Sequence, residues 1–307
     1  MIRYLAFWLG SKLAPLMPLT WGYRLCSVAG WLAYRLAPGA RRAVEANLSQ
    51  ILGEGVSSAE MEPKVKAVFV NGARAYFELL RMSRFDPDEL DRRLIFHDLE
   101  YLHRAVAEGR GVIIATAHMG NSDLVAQCLR RLFPSHEVII PVEPIRPEPL
   151  LRLVTGLRAS QGLSYVPLSV NILKQALGLL RKGGLVALAI DRDIQGRGVR
   201  VPFFGQETSM PVGALELARR TGAAIVPSFC IQRNDGRFDV YVEPPITLDW
   251  TGSAEADLRS NLLKQVAVLE GYLRRFPEQW VVFQPVWSKE GVRLGVRGSS
   301  HIIASAS

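Results

Sequence analysis

Residues 111–123 read Gly111-Val112-Ile113-Ile114-Ala115-Thr116-Ala117-His118-Met119-Gly120-Asn121-Ser122-Asp123. The opening six residues are mostly apolar and β-branched, which predicts a strand buried on both faces. Polar residues follow around the Gly120 turn and predict a helix that runs from Asp123 to Leu132. A buried strand that passes through a turn into a helix is the repeating unit of a parallel α/β sheet.

The same alternation of strand and helix extends outward from this unit in both directions. Apolar runs predict further strands at Glu137–Val142, Tyr165–Pro167, Gly184–Ile190 and Ala224–Phe229, with Phe238–Val242 as the hairpin partner of the last. Apolar spacing of three and four residues predicts helices at Leu99–Ala107, Leu150–Ser160, Ile172–Lys182, Val212–Thr221 and Ala254–Phe276. We therefore predict an α/β fold with a mostly parallel central sheet flanked by helices.

Upstream of the sheet, residues 1–38 are dense in Trp, Tyr and Leu and are interrupted by cations at Arg3, Lys12, Arg24 and Arg35. Each uncharged stretch is shorter than the roughly 18–20 residues that span a bilayer, and internal prolines argue against a signal peptide. Short amphipathic helices lying in a membrane interface are the preferred interpretation. A helical hairpin packed on the protein's own core is the alternative.

Helical spacing continues from Ala40 to Leu80 and ends at Phe85-Asp86-Pro87. The predicted organisation is an N-terminal helical, membrane-interface region at 1–85, a catalytic α/β domain at 86–288, and a disordered tail rich in Gly, Arg and Ser at 289–307.

Composition excludes several classes of protein. The 307 residues are 49% apolar and 21% charged, which is typical of a folded enzyme, and the net charge of +8 attracts anions. No zinc-finger spacing, aromatic RNA-binding motif or dense basic run is present, so nucleic acid is not an expected partner. The three cysteines lack metal or disulfide spacing, which indicates a reducing cytosolic setting and no metal site.

The strand exit carries the residues best suited to chemistry. His118 follows the strand and Asp123 lies in the first helical turn, so the carboxylate is predicted to fix one imidazole tautomer while the other nitrogen takes a proton from an alcohol. A purely structural interpretation stays open at this point, in which Asn121 caps the helix and Asp123 complements its dipole. No serine or cysteine elbow is present, so direct attack of a hydroxyl on a bound thioester is the simpler chemistry.

The segment His118-Met119-Gly120-Asn121-Ser122-Asp123 resembles the H-x-G-N-x-[D/E] form of the HX4D/E motif of bacterial lipid acyltransferases, in the branch of the lipid A late acyltransferases and the phosphatidylinositol mannoside acyltransferases. Three more segments match that branch in order. They are Asp191-Arg192-Asp193 with Gly198–Gly205, Pro211–Ala214 with Thr221–Ala223 and Val226-Pro227, and Pro277-Glu278-Gln279-Trp280. The resemblance covers roughly residues 5–288.

This resemblance implies a glycerolipid acyltransferase-like fold, His118 as the base and Asp123 as its partner. It also implies an acyl-CoA or acyl carrier protein donor, no cofactor or metal, and a lipid acceptor at the cytoplasmic face of the plasma (inner) membrane, reached by a peripheral, monotopic enzyme. Asp123 and the ending Gln284-Pro285-Val286-Trp287 resemble the mannoside acyltransferase side more closely than the lipid A side. The expected acceptor is therefore a phosphatidylinositol mannoside or a related glycophospholipid.

Several other residues are candidates for substrate binding, each with a structural alternative. The carboxyl edge of the sheet also carries Asp191, Arg192 and Asp193, which either bind the acceptor and support His118 or merely hold a turn. Guanidinium groups bind phosphate well, so Arg158 and Arg197 are either phosphate ligands or solvated cations. The pair Phe203-Phe204 lines an acyl channel, anchors its loop in lipid, or packs in the core. Asn121 is included as a binding candidate.

Two other functions are considered beside the leading one. A lysophospholipid or glycerol-phosphate acyltransferase shares the histidine motif, but the Pro-Glu-Gly-Thr signature of that branch is missing from the sequence. A peripheral lipid-binding protein without turnover fits the basic charge and the amphipathic N-terminus equally well.

Overall fold

A computed structural model describes residues 2–287. Its centre is a seven-stranded sheet with the order β1-β9-β8-β2-β5-β3-β4, and a separate two-stranded ribbon pairs β6 with β7. The strands are β1 (Leu94–His97), β2 (Val112–Thr116), β3 (Val138–Val142), β4 (Ser164–Pro167), β5 (Leu185–Ala189), β6 (Val199–Phe203), β7 (Gln206–Met210), β8 (Ala224–Gln232) and β9 (Phe238–Val242). The helices are α1 (Ile2–Leu13), α2 (Leu19–Leu36), α3 (Pro38–Leu52), α4 (Ser58–Arg81), α5 (Pro87–Arg93), α6 (Glu100–Ala107), α7 (Ser122–Ala126), α8 (Leu129–Leu132), α9 (Glu148–Arg158), α10 (Val170–Arg181), α11 (Gly213–Thr221) and α12 (Ala254–Arg275).

The sheet confirms the predicted mostly parallel architecture. Strands β8, β2, β5, β3 and β4 run parallel, and β9 turns back antiparallel to β8 as the predicted hairpin partner. Alternate residues of β2 enter two separate buried clusters. Ile113 packs with side chains of α10, α11 and α12 on one face, and Ile114 packs with side chains of α6 and α8 on the other. Helices on both faces explain why the central strands are apolar throughout.

Several predicted elements differ in detail from those observed. The helical pattern from Ala40 to Leu80 is two helices, because Gly53 and Gly55 adopt positive φ between them and a Ser57/Glu60 capping box starts α4. The helix predicted to continue to Leu132 is interrupted at Gln127, where backbone N–H groups bond to carbonyls three residues earlier. Strand β1 and the β6–β7 ribbon were not predicted. The predicted tail at 289–307 lies outside the described residues.

Helix α2 packs along α4 by close backbone approach at two glycines. A Cβ on Gly22 would lie 2.0 Å from Cζ of Phe77, and one on Gly30 would lie 2.7 Å from Cα of Val70. The contact is reinforced by a buried polar group, since the Tyr23 hydroxyl donates to Oε1 of Glu78 at 2.6 Å. The helices of residues 1–38 therefore do pack on the protein's own core, as the alternative interpretation expected.

The opposite face of these helices is apolar and exposed to solvent. Its large exposed side chains are Leu5, Trp8, Leu9, Leu13, Leu16, Trp21, Leu25, Val28, Trp31, Leu32 and Leu36, which we call the N-terminal apolar face. In the stretch from residue 2 to residue 287, no helix combines the length and the hydropathy needed to cross a bilayer.

Candidate active site

The loop after β2 brings His118 to the carboxyl edge of the sheet, as the sequence predicted. The turn that follows is fixed by Gly120, whose φ is +53°; a Cβ there would lie 2.4 Å from the carbonyl oxygen of Cys230. A residue with a side chain would therefore both strain the backbone and collide with β8. The His118 side chain is 38% exposed, so a ligand can reach the ring.

His118 is held by Asp191, which follows the neighbouring strand β5. Nδ1 of His118 lies 2.9 Å from Oδ1 and 3.1 Å from Oδ2 of Asp191, and the backbone N–H of His118 donates to Oδ2 at 3.2 Å. The two residues meet because β2 and β5 are adjacent parallel strands, so their carboxyl ends share one edge. A carboxylate on Nδ1 places the ring proton there and leaves the lone pair of Nε2 free to accept a proton.

The Asp191 carboxylate is fully buried and is itself fixed by Trp280, whose indole Nε1–H donates to Oδ2 at 2.8 Å. Burial alone would raise the pKa of this carboxyl, but the charge and hydrogen bond of His118, the charge of Arg192 and the Trp280 bond together hold it well below the ordinary value. Asp191 therefore stays ionised at neutral pH and remains a hydrogen-bond acceptor for the imidazole.

Asp123 does not make the contact predicted for it. Its Oδ2 accepts from Nε of Arg158 at 3.0 Å and from Nη2 at 2.6 Å, so the carboxylate is engaged at the carboxyl end of α9. The Asn121 side chain caps α7 by accepting from the N–H of Leu124 at 3.0 Å, which sets the start of the helix that carries Asp123. The contact predicted between His118 and Asp123 is made by Asp191 instead, and Arg158, predicted as a phosphate ligand, has a carboxylate partner.

Arg192 lies on the open side of the histidine. Its Nη2 is 3.3 Å from Nε2 of His118, and its Nη1 donates to Oε1 of Gln284 at 2.6 Å. The Nε–H of Arg192 is buried and has no hydrogen-bond partner within the described part of the chain. Both nitrogens of the imidazole are thus in contact with residues of the predicted Asp191-Arg192-Asp193 segment.

The third residue of that segment, Asp193, holds a turn. Its carboxylate accepts from the backbone N–H groups of Arg197 at 3.2 Å and Gly198 at 2.8 Å, and from the hydroxyl of Ser209 at 2.7 Å. Asp193 therefore holds a turn, which is the structural role that the sequence analysis gave as its alternative. Its bond to Ser209 links the loop after β5 to the β6–β7 ribbon. The Arg197 side chain is exposed.

Phe203 and Phe204, the candidates for lining an acyl channel, belong to an aromatic cluster that includes Trp280 and Trp287. Phe203 is fully buried, stacks on Trp287 with ring centroids 5.0 Å apart and meets Trp280 edge to face at 6.3 Å. Phe204 is half-buried beneath the guanidinium of Arg274 at 4.8 Å. Phe203 is thus a core aromatic that supports Trp280, and the prediction that it lines a channel does not match its burial.

The segment after α12 supplies functional contacts that the sequence did not predict. Trp280 bridges to Met119, the N–H of Gly120 donates to the carbonyl of Gln279 at 3.0 Å, and the N–H of Val281 donates to the carbonyl of His118 at 2.8 Å. The motif Pro277-Glu278-Gln279-Trp280 predicts that this segment matters, but nothing in the sequence predicts the contact between the Trp280 indole and Asp191.

A small apolar cavity opens beside the same loop. Thr116, Ser122, Val125, Leu129 and Cys230 are among its lining residues, and its volume is about 50 Å³. That volume would hold about three water molecules, so a fatty chain would have to widen it. Across residues 2–287, no group of three or more His, Cys, Asp or Glu side chains is arranged to hold a metal ion.

Comparison with known proteins agrees with the motif resemblance. Residues 1–289 match the family described as Bacterial lipid A biosynthesis acyltransferase. A protein of Mycobacterium tuberculosis named phosphatidylinositol mannoside acyltransferase is 30% identical over 294 residues, covering 87% of this chain and 88% of that protein. One of the same name from Mycolicibacterium smegmatis is 28% identical over 261 residues, covering 83% and 82%. The chain therefore belongs to the bacterial lipid A biosynthesis acyltransferase family, and it is an acyltransferase.

Proposed function

We propose that this enzyme transfers a fatty acyl group from acyl-CoA or acyl carrier protein to a hydroxyl of a phosphatidylinositol mannoside or a related glycophospholipid. The observation that carries the proposal is the His118 imidazole, which is held through Nδ1 by a buried carboxylate and whose side chain is 38% exposed at the sheet edge. This is the arrangement of a general base with a positioning carboxylate. The carboxylate in question is Asp191, and Asp123 supports the loop through Arg158.

In the proposed reaction, Nε2 of His118 takes the proton of the acceptor hydroxyl as its oxygen attacks the thioester carbonyl carbon. The new C–O bond forms, the C–S bond breaks, and the departing thiolate takes the proton from His118. Asp191 remains ionised throughout and stabilises the imidazolium that exists between the two proton transfers. The apolar cavity beside Thr116 and Ser122 is the proposed entry point of the acyl chain, since it lies next to the histidine loop.

The choice of acceptor rests on the relatives and on the resemblance, because both point to mannosylated phosphatidylinositol. A lipid A-type or lysophospholipid acyltransferase is the alternative within the same chemistry. A peripheral lipid-binding protein without turnover is disfavoured by the family assignment.

An acceptor competition tests this choice. Purified enzyme is supplied with palmitoyl-CoA and equal amounts of a phosphatidylinositol mannoside, a lipid A precursor and lysophosphatidate in detergent micelles. We expect acylated mannoside to form at least about ten times faster than either other product, because one methylene or hydroxyl misfit in a pocket already gives about 10–200-fold discrimination. Product masses and thiol release are measured together. Faster acylation of lysophosphatidate would contradict the proposed acceptor while leaving the acyltransferase assignment intact.

We further propose that the N-terminal apolar face lies in the membrane interface at the cytoplasmic leaflet. Arg24 lies 5.8 Å from the ring centroid of Trp21, and Arg35 lies 5.5 Å from that of Trp31, so cations flank the exposed aromatic rings. Such pairs suit a surface of apolar chains below anionic head groups. Phe7 of α1 packs in the same cluster as α9, which ends at Arg158 beside the active site. A docked enzyme would thus hold its site close to the lipid.

Point substitutions test this face better than deletion of residues 1–38, because α2 contributes the buried Tyr23 to the core. Replacing both Trp21 and Trp31 by serine is expected to weaken binding to anionic liposomes by at least about 100-fold, since burying one large apolar side chain contributes about 1.5–3 kcal/mol and about 1.4 kcal/mol is tenfold in affinity. Liposome co-sedimentation measures the change. Trp250→Ser is the matched control, because Trp250 is exposed but lies after β9. Equal loss in the control and in the double variant would rule out the proposed face.

A further inference from the structure

Arg192 is a guanidinium without a carboxylate partner at the centre of the candidate site. The salt bridges formed by residues 2–287 include Arg158 with Asp123 but none with Arg192. One nitrogen of Arg192 is held by the neutral Gln284 side chain, a second faces His118, and the buried Nε–H has no partner. A partly buried cation with an unsatisfied donor is costly unless an anion or a carbonyl oxygen arrives.

The contact with His118 shows where the reacting atoms have to lie. Because Nδ1 carries the proton that faces Asp191, Nε2 presents a lone pair, and Nη2 of Arg192 donates to it from 3.3 Å. The acceptor hydroxyl has to approach the same lone pair to about 2.6–3.2 Å for its proton to be taken. Arg192 Nη2 therefore lies where the acceptor hydroxyl has to bind, so it has to leave Nε2 when the acceptor approaches.

The acceptor oxygen attacks the carbonyl carbon of the thioester, and the carbonyl oxygen is bonded to that same carbon. The carbonyl oxygen therefore lies close to the acceptor hydroxyl, and so to the Arg192 guanidinium that the hydroxyl displaces from Nε2. Arg158 is neutralised by Asp123, and Arg197 is exposed, which leaves Arg192 as the cation that faces His118 within the described chain. We propose that Arg192 is a catalytic residue that binds the thioester carbonyl oxygen and stabilises the oxyanion formed on attack. The inference rests on the proposed acyl transfer and names the residue that activates the thioester carbonyl for attack.

Atoms and charges balance in this step. The acceptor oxygen bonds to the carbonyl carbon as His118 Nε2 takes its proton, and the carbonyl π electrons move onto the oxygen beside the Arg192 cation. Collapse of the oxyanion restores the carbonyl, breaks the C–S bond and releases a thiolate that is protonated by His118. Arg192 then returns to the Nε2 lone pair.

The test compares Arg192→Gln and Arg192→Lys with the wild type and with Arg181→Gln. Arg181 is an exposed arginine at the end of α10, which precedes β5 and therefore lies at the edge of the sheet opposite His118. Removing an oxyanion donor typically lowers kcat by about 10²–10³-fold. We expect a loss of that size in Arg192→Gln, partial recovery in Arg192→Lys, unchanged turnover in Arg181→Gln, and a smaller change in the KM for palmitoyl-CoA.

A pair of inhibitors separates oxyanion stabilisation from a structural role. In one palmitoyl-CoA analogue a difluoromethylene ketone replaces the thioester; it adds water or alcohol as His118 takes the proton, which leaves a tetrahedral oxyanion. The matching methylene ketone stays trigonal. Arg192→Gln should weaken binding of the difluoromethylene ketone by about the same factor as kcat, with the affinity for the methylene ketone nearly unchanged. Equal weakening of both inhibitors, or wild-type kcat in Arg192→Gln, would overturn the assignment.

The outcome is distinguishable from failure of the proposed function. Wild-type enzyme that transfers no acyl group to any offered lipid would reject the proposed function itself. Turnover that depends on His118 but is unaffected by Arg192→Gln would reject only the role of Arg192. Thermal unfolding of each variant shows whether it is folded, and Arg192→Lys preserves the cation if the glutamine variant fails to fold.

Discussion

Replacing His118 by alanine is expected to lower the rate of acyl transfer by about 10²–10⁴-fold, while the protein remains folded and bound to liposomes. The imidazole is held through Nδ1 by the Asp191 carboxylate, so its Nε2 is the nitrogen that can take the proton of the acceptor. Without it, the acceptor hydroxyl has to attack with its proton in place, and positioned proton transfer is worth about 10²–10⁴-fold. The release of CoA thiol and the mass of the acylated lipid measure the rate.

His103→Ala is the control for this substitution, because His103 is exposed on α6 and makes its ring contact with Phe133. It should retain wild-type turnover. Transfer by His118→Ala at a rate near that of the control would end the assignment of His118 as the base.

Replacing Asp191 by asparagine is expected to lower kcat by about 10³–10⁴-fold. Asp123→Asn is expected to lower kcat much less. An asparagine keeps the shape of the buried side chain, but with its oxygen on the Trp280 indole it presents an NH₂ group to Nδ1. That geometry selects the wrong imidazole tautomer, and loss of the correct one costs about 10⁴-fold in a serine protease triad. Asp123→Asn instead breaks the pair with Arg158 and should lower the free energy of unfolding by about 1–3 kcal/mol.

Two readouts separate these roles. Nitrogen NMR of the histidine ring should show the proton on Nδ1 in the wild type and in Asp123→Asn, and its loss from Nδ1 in Asp191→Asn. The kcat values should follow the same order. If Asp123→Asn lost more turnover than Asp191→Asn without unfolding, the carboxylate of the sequence motif, and not Asp191, would be the working partner of His118.

The assignment of the histidine partner shows what the sequence can and cannot supply. His118 and Asp191 were each placed at the carboxyl edge of the sheet, because each follows an apolar strand. Which strands are neighbours is not written in any local pattern, since the crossover helices bring β5 beside β2 while the intervening β3 lies further out. The carboxylate nearest in sequence was therefore chosen over the one nearest in space.

Other differences have similar physical causes. The β6–β7 ribbon includes Arg200 and Glu207, so it lacks the apolar run that marked the central strands. Trp280 reaches Asp191 through an irregular segment that has no periodicity to read. The sequence of the N-terminal helices allows either packing on the protein's core or contact with a membrane. In the structure one face of these helices packs on the core and the other is apolar and exposed, because an amphipathic helix has two surfaces.

The active site is also assembled late. Trp280 follows Asp191 by 89 positions, yet its indole fixes the carboxylate, and its neighbours Gln279 and Val281 hold the backbone of Gly120 and His118. A chain still emerging from the ribosome carries the histidine and the aspartate long before the tryptophan that orders them. His118 and Asp191 are therefore held in place only after the chain has been synthesised past Trp280 and that segment has packed against the sheet.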